Sequence, residues 1–348
     1  MNFKALASII VTFCAITISH AQRPKIKKIL FIGNSYTAVN DLPNWTKQLA
    51  ESMGDTFEFT AISPGGTTFQ RHSTDPQVLS ELASGNYDVV ILQEQSQLPS
   101  FPPQQVEADC FPYAKDLVNA ARAGKSCVQI LFYMTWGRQN GDASNCAFWP
   151  PVCTFSGMNE LLRQNYVQMA KDNYANVAPV GSVWRDVRSS DGSIQLYQGD
   201  GSHPSTRGTH LAAITIYRSL FGKDVTTDAF HMGLADSDHD LIRGIANRIV
   251  KDSSTLWQYD TCYRQTSGTH SNVNPQIRWH IEQQTLVIDW NSNSTPTYRI
   301  VDVLGRVWAE SSLLGEQTDR SLRLKLDGFA QGQYFLVTPT GTTPLFIP

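Results

Sequence analysis

Short apolar runs alternate with amphipathic helical patterns from residue 26 to about residue 251, and this alternation limits the possible folds more than any other feature. One run, Val89-Val90-Ile91-Leu92, is apolar at every position, which is typical of a parallel strand buried on both faces. The pattern predicts an α/β fold, a three-layer sandwich with a central parallel sheet. The predicted strands are Lys28–Ile32, Phe57–Ile62, Tyr87–Leu92, Val128–Met134 and Asn176–Val180, and the predicted helices include Pro43–Met53, Pro76–Ala83, Gln104–Ala123, Gly157–Asn173 and Thr206–Phe221.

Length and charge limit the functions open to this chain. Its 348 residues are enough for about two domains, and a hydrophobic fraction of 41% allows a sizeable core. The net charge is −3 and no run rich in Lys or Arg occurs, which argues against nucleic acid as a partner. We therefore expect a small or neutral substrate.

The N-terminus has the three parts of a secretory signal peptide. Met1-Asn2-Phe3-Lys4 carries a basic residue, an apolar stretch runs from Ala5 to Ile18, and Ser19-His20-Ala21 supplies small residues for cleavage. The apolar stretch is too short to span a bilayer comfortably. We predict a signal peptide at 1–21 and export of the rest; a retained anchor helix is the alternative.

Cysteine usage agrees with export. Cys146 and Cys153 flank a Pro-rich loop, and a disulfide between them would hold that loop. No second closely spaced pair of Cys or His residues accompanies them, so we expect no metal. Five cysteines remain after signal removal, so at least one thiol is unpaired: Cys110, Cys127, Cys146, Cys153 and Cys262.

Polar or glycine-rich segments follow each of the first four predicted strands. The carboxyl ends of parallel strands meet at one edge of a sheet, and ligands bind there. Asp200 and His203 lie just ahead of the last predicted helix and can fold over the same edge. The segments that follow the first three strands contain Ser35, Gly65-Gly66 and Gln93-Glu94-Gln95-Ser96, and Tyr133–Gly137 closes the fourth strand.

A serine, a histidine and a carboxylate therefore converge. A serine hydroxyl needs an imidazole to take its proton and a third group to orient that imidazole. Gly33-Asn34-Ser35-Tyr36 and Asp200-Gly201-Ser202-His203-Pro204 supply all three groups. Each segment alone is also compatible with a plain turn, the first with a serine helix cap.

These two segments resemble the first and last blocks of the SGNH (GDSL-type) hydrolases, whose fold is flavodoxin-like. Phe31-Ile32-Gly33-Asn34-Ser35-Tyr36 matches the nucleophile block, with Asn34 where many members have Asp, and Asp200-Gly201-Ser202-His203 matches the Asp-x-x-His block. The resemblance covers most of residues 26–225 and implies a hydrolase domain at 22–255. It implies Ser35 as nucleophile, His203 as general base and Asp200 as the residue that orients it, with no cofactor.

The middle blocks of the family match less well. The family's oxyanion hole combines the nucleophile's backbone N–H with a glycine N–H and an asparagine side chain. The resemblance thus implies Ser35 together with Gly65 or Gly66. No asparagine follows the third strand, so Gln93 and Gln95 are the candidates for the side-chain donor.

Aromatic residues in and beside the loop from about Gly137 to Ser156 suggest a substrate class. We predict Tyr36, Trp136 and Trp149 as substrate-binding residues, with Phe148 beside them, because aromatic faces stack on sugar rings; packing inside the loop is the alternative. The predicted activity is hydrolysis of carboxylic esters, O-acetyl groups on carbohydrates in particular. A catalytically weak glycan-binding module and an acyltransferase with the same triad are the alternatives.

Several other polar residues have no partner at a meaningful spacing in the sequence. We expect the histidines at the surface or at helix ends: His72, His210, His231 and His239. Glu94 is expected to be solvated or in a salt bridge, and a role as a surrogate acid is the alternative.

Beyond about residue 251 the helical periodicity stops. A linker is predicted at 256–272 and a small β-sandwich at 273–348, where apolar residues alternate with period two. The segments 298–307 and 326–337 resemble type IX secretion sorting domains, which implies a partner in the secretion machinery and export by a Gram-negative bacterium to the periplasm, cell surface or medium. The basic residue that usually ends such domains is missing, so a fixed accessory module is the alternative.

Overall fold

A computed structural model of the chain describes residues 26–252, 254–260, 277–282, 285–290, 299–302, 307–310, 316–317, 321–326, 332–338 and 341–347. The described residues form two units, one of residues 26–260 and one from residue 277 onward. The predicted signal peptide and most of the predicted linker lie outside the described residues. Among the described residues, no helix combines the length and the apolar character that a membrane crossing requires.

The five predicted strands of the first unit form one parallel sheet in the order β2-β1-β3-β4-β5. Every residue of β3 and β4 is buried, because helices cover both faces of the sheet. The predicted α/β fold with a central parallel sheet is confirmed, and the strand order is the flavodoxin-like one. The strands are β1 (Lys28–Ile32), β2 (Glu58–Ile62), β3 (Val89–Leu92), β4 (Gln129–Tyr133) and β5 (Asn176–Ala178).

The helices also follow the apolar periodicity, with one difference from the prediction. The predicted helix Gln104–Ala123 is two helices that meet at Cys110. Pro112 stands in the first turn of the second helix, where its missing N–H costs nothing, but in one continuous helix its ring would collide with the preceding turn. The helices are α1 (Ser35–Ala38), α2 (Leu42–Ser52), α3 (Phe69–His72), α4 (Pro76–Ala83), α5 (Pro103–Asp109), α6 (Phe111–Gly124), α7 (Phe155–Asp172), α8 (Val180–Ser190), α9 (Thr206–Phe221), α10 (Asp236–Asp252) and α11 (Ser254–Trp257).

The strand order reverses direction at β1, which lies between β2 and β3. Successive connections leave β1 toward opposite sides of the sheet, so a crevice opens at its carboxyl end. The backbone of Gly33 and Gln93 joins the three strand ends: Gly33 N donates to Ile62 O at 3.0 Å, and Gln93 N donates to Ile32 O at 2.9 Å. Ser35 follows β1 directly at this point.

The described residues of the second unit form two antiparallel sheets of four strands each, in the orders β10-β11-β7-β6 and β13-β12-β8-β9. The period-two pattern thus marks strands, while the packing of the two sheets into a sandwich stays a prediction. The strands are β6 (Ile277–Glu282), β7 (Thr285–Trp290), β8 (Arg299–Asp302), β9 (Val307–Glu310), β10 (Glu316–Gln317), β11 (Ser321–Lys325), β12 (Gly332–Thr338) and β13 (Gly341–Ile347).

Candidate active site

Ser35 and His203 meet although 168 positions separate them in the chain. His203 Nε2 lies 2.9 Å from Ser35 Oγ, and His203 Nδ1 lies 2.5 Å from Asp200 Oδ2. A carboxylate only accepts hydrogen bonds, so Nδ1 carries the imidazole proton and Nε2 faces the hydroxyl as an acceptor. This is the arrangement in which an imidazole can take a proton from a serine.

The loop that carries Asp200 and His203 is held by its own hydrogen bonds. Asp200 Oδ1 accepts from the backbone N–H of Ser202 at 2.9 Å and of His203 at 3.0 Å. Gly201 supports the tight turn with φ of +66°, a conformation that favours glycine. Burial raises the pKa of Asp200, but the hydrogen bonds from His203 and from the two backbone N–H groups outweigh that effect and hold the pKa below its usual value. The carboxyl is therefore ionised at neutral pH, as an orienting group must be.

The turn that presents Ser35 is packed tightly around Gly33. Asn34 caps α1 by accepting a hydrogen bond from Tyr36 N at 3.1 Å. A Cβ atom at Gly33 would overlap the side chains of Thr37 and Gln93, so only glycine fits at this position. Ser35 is the first residue of α1, and its N–H donates to no acceptor among the described residues, which leaves it available for an oxyanion.

Gln93 does not have the role that the sequence suggested. It is fully buried, and its Nε2 donates to Asn34 Oδ1 at 3.0 Å and to Glu94 O at 2.5 Å, while its Oε1 accepts from Asn34 N and Thr37 Oγ1. Both amide hydrogens are thus engaged. Gln93 holds the turn of Ser35 and has no amide hydrogen left for an oxyanion, which corrects the prediction for this residue.

Gln95 keeps a free hydrogen. Its Oε1 accepts from the backbone N–H of Gln97 and Leu98, and its Nε2 donates to Gln97 Oε1 at 3.2 Å. The second Nε2 hydrogen has no acceptor among the described residues. The side chain is half-buried, so Gln95 stays the candidate for a side-chain oxyanion donor.

Gly65 and Gly66 lie in an exposed turn after β2, and Gly66 has φ of +69°. Neither backbone N–H donates to another described residue. The turn is joined to the turn of Ser35 through Thr67, whose carbonyl oxygen accepts from Asn34 Nδ2 at 3.1 Å. The described contacts are compatible with either glycine as the backbone donor.

Tyr36 and Trp136 are buried, which corrects their prediction as residues that stack on substrate. The ring of Tyr36 lies on Trp136 with centroids 4.7 Å apart, and the other face of Trp136 lies on Trp184 at 3.9 Å. Both faces of Trp136 are therefore covered by protein. Tyr36 OH lies 2.6 Å from Ser202 Oγ, so the stacked rings of Tyr36 and Trp136 support the loop that carries His203.

The loop between β4 and α7 carries the remaining aromatic residues. Trp149 is half-buried and donates from Nε1 to Ser100 O at 3.0 Å, whereas Phe148 is 87% exposed. Trp149 therefore packs mainly within the protein, and Phe148 is the aromatic ring of this loop that solvent reaches. Cys146 and Cys153 form a disulfide at the base of the turn.

The other cysteines were only partly foreseen. Cys127 is also disulfide-bonded, a pairing that its spacing in the sequence did not suggest. Cys110 is a free, buried thiol.

Two buried groups behind the site were expected at the surface. Glu94 is fully buried; its Oε1 accepts from the backbone N–H of Phe69 at 2.9 Å and of Gln95 at 2.6 Å, so it joins the loops after β2 and β3. Burial raises the pKa of Glu94 to about 8. His72 is also buried and donates from Nε2 to Gly33 O at 2.8 Å, and burial lowers its pKa. No local sequence pattern predicts these contacts, because Glu94 and His72 each bond a residue that is far away in the sequence.

A histidine pair lies between α9 and α10, away from the expected surface position. His210 and His239 are buried, and His210 Nε2 lies 2.9 Å from His239 Nδ1. His239 Nε2 faces the carbonyl oxygen of Thr226 at 3.2 Å, so it donates there, and His239 Nδ1 accepts from His210. His231 is half-exposed beside them, with its ring centroid 5.5 Å from that of His239.

Comparison with solved structures identifies the fold. No protein-family model and no curated protein match the chain. A DUF4886 family protein from Bacteroides uniformis superposes with a TM-score of 0.56 at 19% identity, over 64% of this chain and 94% of that chain. A candidate SGNH hydrolase from Slackia heliotrinireducens superposes with a TM-score of 0.45 at 28% identity, over 56% of this chain and 99% of that chain. A candidate GDSL-like lipase from Parabacteroides merdae superposes with a TM-score of 0.43 at 16% identity, over 58% of this chain and 98% of that chain. The chain shares the fold of the first of these proteins, and its structural neighbours include SGNH and GDSL-like hydrolases and esterases.

Proposed function

We propose that this protein is a serine hydrolase of carboxylic esters. The observation that carries the proposal is the hydrogen-bonded chain from Ser35 Oγ through the His203 ring to Asp200, at 2.9 and 2.5 Å. These three side chains lie at the carboxyl edge of a parallel sheet, beside backbone N–H groups that have no protein acceptor among the described residues. A nucleophile, a base and oxyanion donors are the three elements that acyl transfer needs.

The proposed reaction has two halves. In the first, Ser35 Oγ attacks the ester carbonyl while its proton moves to His203 Nε2, and the C–O bond to the alcohol breaks as the alcohol takes that proton. In the second, water loses a proton to His203 Nε2 and attacks the acyl-serine, which releases the acid and restores the Ser35 hydroxyl. Asp200 holds the imidazolium that forms in each half.

The oxyanion of both halves is held by the Ser35 N–H and by the N–H of Gly65 or Gly66. Gln95 is the side-chain donor in this proposal, because the amide of Gln93 is saturated. One such donor contributes roughly 3 kcal/mol to transition-state stabilisation.

We propose O-acetyl groups on carbohydrates as the substrate, and export of the protein. The exposed Phe148 ring on a disulfide-held turn supports a sugar substrate, because a rigid aromatic face can stack on a pyranose ring. The signal-like N-terminus and the disulfides support an oxidising compartment. A polysaccharide ester outside the cytoplasm is consistent with both features.

The test is hydrolysis of 4-nitrophenyl acetate by the signal-free protein and four variants. We expect Ser35→Ala and His203→Ala to lower kcat/KM by roughly 10³-fold or more. The matched controls Ser189→Ala, an exposed serine on α8, and His231→Ala should keep the wild-type rate. If the folded wild type and all variants are equally inert, the proposal is wrong and the glycan-binding alternative replaces it.

A further inference from the structure

Arg138 lies on a segment that is fastened to the loop of the proposed catalytic histidine. Trp136 Nε1 donates to Ser202 O at 3.2 Å, and Gln139 N donates to Gly201 O at 2.8 Å. Arg138 stands between these two anchors. Its backbone therefore runs beside the loop that carries Asp200 and His203.

The guanidinium of Arg138 is held toward a second loop of the site. Its NH1 donates to Asp142 Oδ1 at 3.2 Å, and Asp142 also accepts from Gln97 Nε2 at 2.6 Å. Gln97 belongs to the loop after β3. Tyr36, the neighbour of Ser35, is hydrogen-bonded to the loop of His203 through Ser202. The charge of Arg138 thus lies between two loops that border the nucleophile.

Most of the hydrogen-bonding capacity of Arg138 is unused. A guanidinium has five N–H donors, and the described contacts of this one engage NH1 alone. Nε is buried without a partner among the described residues, while 28% of the side chain is exposed. A ligand cannot reach the buried Nε, so the donors open to an acceptor from outside are the N–H groups of the two terminal nitrogens that Asp142 leaves free.

A purely structural role for Arg138, as counterion of Asp142, does not account for its free N–H donors. Asp142 is fully buried and already accepts from the side chains of Gln97 and Asn145. Burial raises the pKa of Asp142, but those two hydrogen bonds and the charge of Arg138 together hold it below its usual value. The guanidinium adds to this stabilisation through one N–H and keeps the others free.

We propose that Arg138 binds a carboxylate on the alcohol part of the ester, so that the substrate is an O-acylated acidic sugar. The planar fork of a guanidinium matches the two oxygens of a carboxylate. This inference rests on the proposed esterase function and specifies its substrate class. Arg138 selects the substrate and takes no part in proton transfer.

The test compares two substrates that differ only in the group at C6: a monoacetylated methyl galacturonide and the corresponding galactoside. We expect the wild type to have a kcat/KM about tenfold or more higher for the galacturonide, the range of a charge-assisted hydrogen bond. Arg138→Gln should abolish that preference and leave the galactoside rate within about threefold, a range that a lost contact to the uncharged sugar would exceed. Arg138→Lys should keep part of the preference.

Arg163 is the matched control, because its side chain is also 28% exposed and paired with one carboxylate, Glu160. Arg163→Gln should behave as the wild type. The ratio of the two kcat/KM values does not depend on the fraction of folded protein, so it stays informative if Arg138→Gln is destabilised. An equal ratio in wild type and Arg138→Gln overturns the proposal.

A calorimetric titration with galacturonate and with galactose separates this proposal from the esterase proposal. If no ester is cleaved but the wild type binds galacturonate more tightly and Arg138→Gln does not, the carboxylate site stands and the esterase function is wrong. If both proteins bind the two sugars equally, the carboxylate site is wrong, whatever the hydrolysis assays show.

Discussion

Gln93 and Asn34 form a reciprocal pair of hydrogen bonds: Asn34 N donates to Gln93 Oε1, and Gln93 Nε2 donates to Asn34 Oδ1, both at 3.0 Å. The pair joins the end of β3 to the residue before the nucleophile. Both side chains are buried, so the two bonds fix the orientation of the Ser35 turn rather than contact a substrate.

We predict that Gln93→Ala lowers stability and kcat together. The substitution leaves Asn34 N and Thr37 Oγ1 buried without their acceptor, at roughly 1–3 kcal/mol for each unpaired group. Urea unfolding and steady-state kinetics measure the two effects. Gln95→Ala is the comparison and should lower kcat with a smaller loss of stability, because the backbone N–H groups of Gln97 and Leu98 that lose their acceptor are only partly buried. A Gln93→Ala protein with wild-type stability and a lost kcat would instead assign the oxyanion role to Gln93.

Asp200→Asn should lower kcat by roughly 10²- to 10⁴-fold with little change in melting temperature. An amide NH₂ facing His203 Nδ1 favours the tautomer in which Nε2 carries the proton, and this tautomer cannot take the proton of Ser35. The control is Asp191→Asn, because Asp191 accepts from Ser193 N in a similar exposed turn. Equal kcat values for the two variants would contradict the orienting role of Asp200.

The histidine pair should make the protein acid-sensitive. Burial, with the neighbouring His239 and His231, lowers the pKa of His210 to about 3, and burial also lowers the pKa of His239. A histidine with a lowered pKa stabilises the fold fully above its unfolded pKa, near 6.5, and this contribution is lost as the pH falls below that value. The free energy of unfolding should thus fall by ~1 kcal/mol per pH unit between pH 6 and 4 through His210, and His239 should add to this fall in the same direction.

His210→Gln tests this acid sensitivity, because glutamine can still donate to His239 Nδ1 but does not titrate. Urea unfolding at pH 8, 6, 5 and 4 should show a shallower loss of stability for the variant than for the wild type. Parallel curves for the two proteins would exclude His210 as a source of the pH dependence.

Trp136→Ala should destabilise the protein by about 3–5 kcal/mol, the usual cost of removing a large buried aromatic side chain. Trp136→Phe keeps a ring between Tyr36 and Trp184 and should lose less stability. Because no face of Trp136 is open, the KM of Trp136→Phe for 4-nitrophenyl acetate should stay within about twofold of wild type, less than one lost contact would change it. A raised KM with unchanged stability would contradict this prediction and indicate that Trp136 contacts the substrate.

The strands show how far local pattern predicts this fold. β1 has the predicted bounds, because a run that is apolar at nearly every position can be buried only in the middle of a covered sheet. The break at Cys110 is not visible in the apolar periodicity, which continues through it; it is the ring of Pro112 that ends the first helix. Burial of His72, Glu94 and His210 was missed as well, since their partners lie on other elements.

Local sequence pattern is enough to predict the parallel α/β fold of the first unit and to place Ser35, Asp200 and His203 at one edge of its sheet. These features depend on local periodicity and on turn residues, which act over a few positions. Three properties follow from the packing of the folded chain instead: both amide hydrogens of Gln93 are engaged, both faces of Trp136 are covered, and Arg138 keeps free N–H donors. Those properties depend on which groups meet across long chain separations, and a side chain's role follows from the hydrogen bonds that its neighbours leave unused.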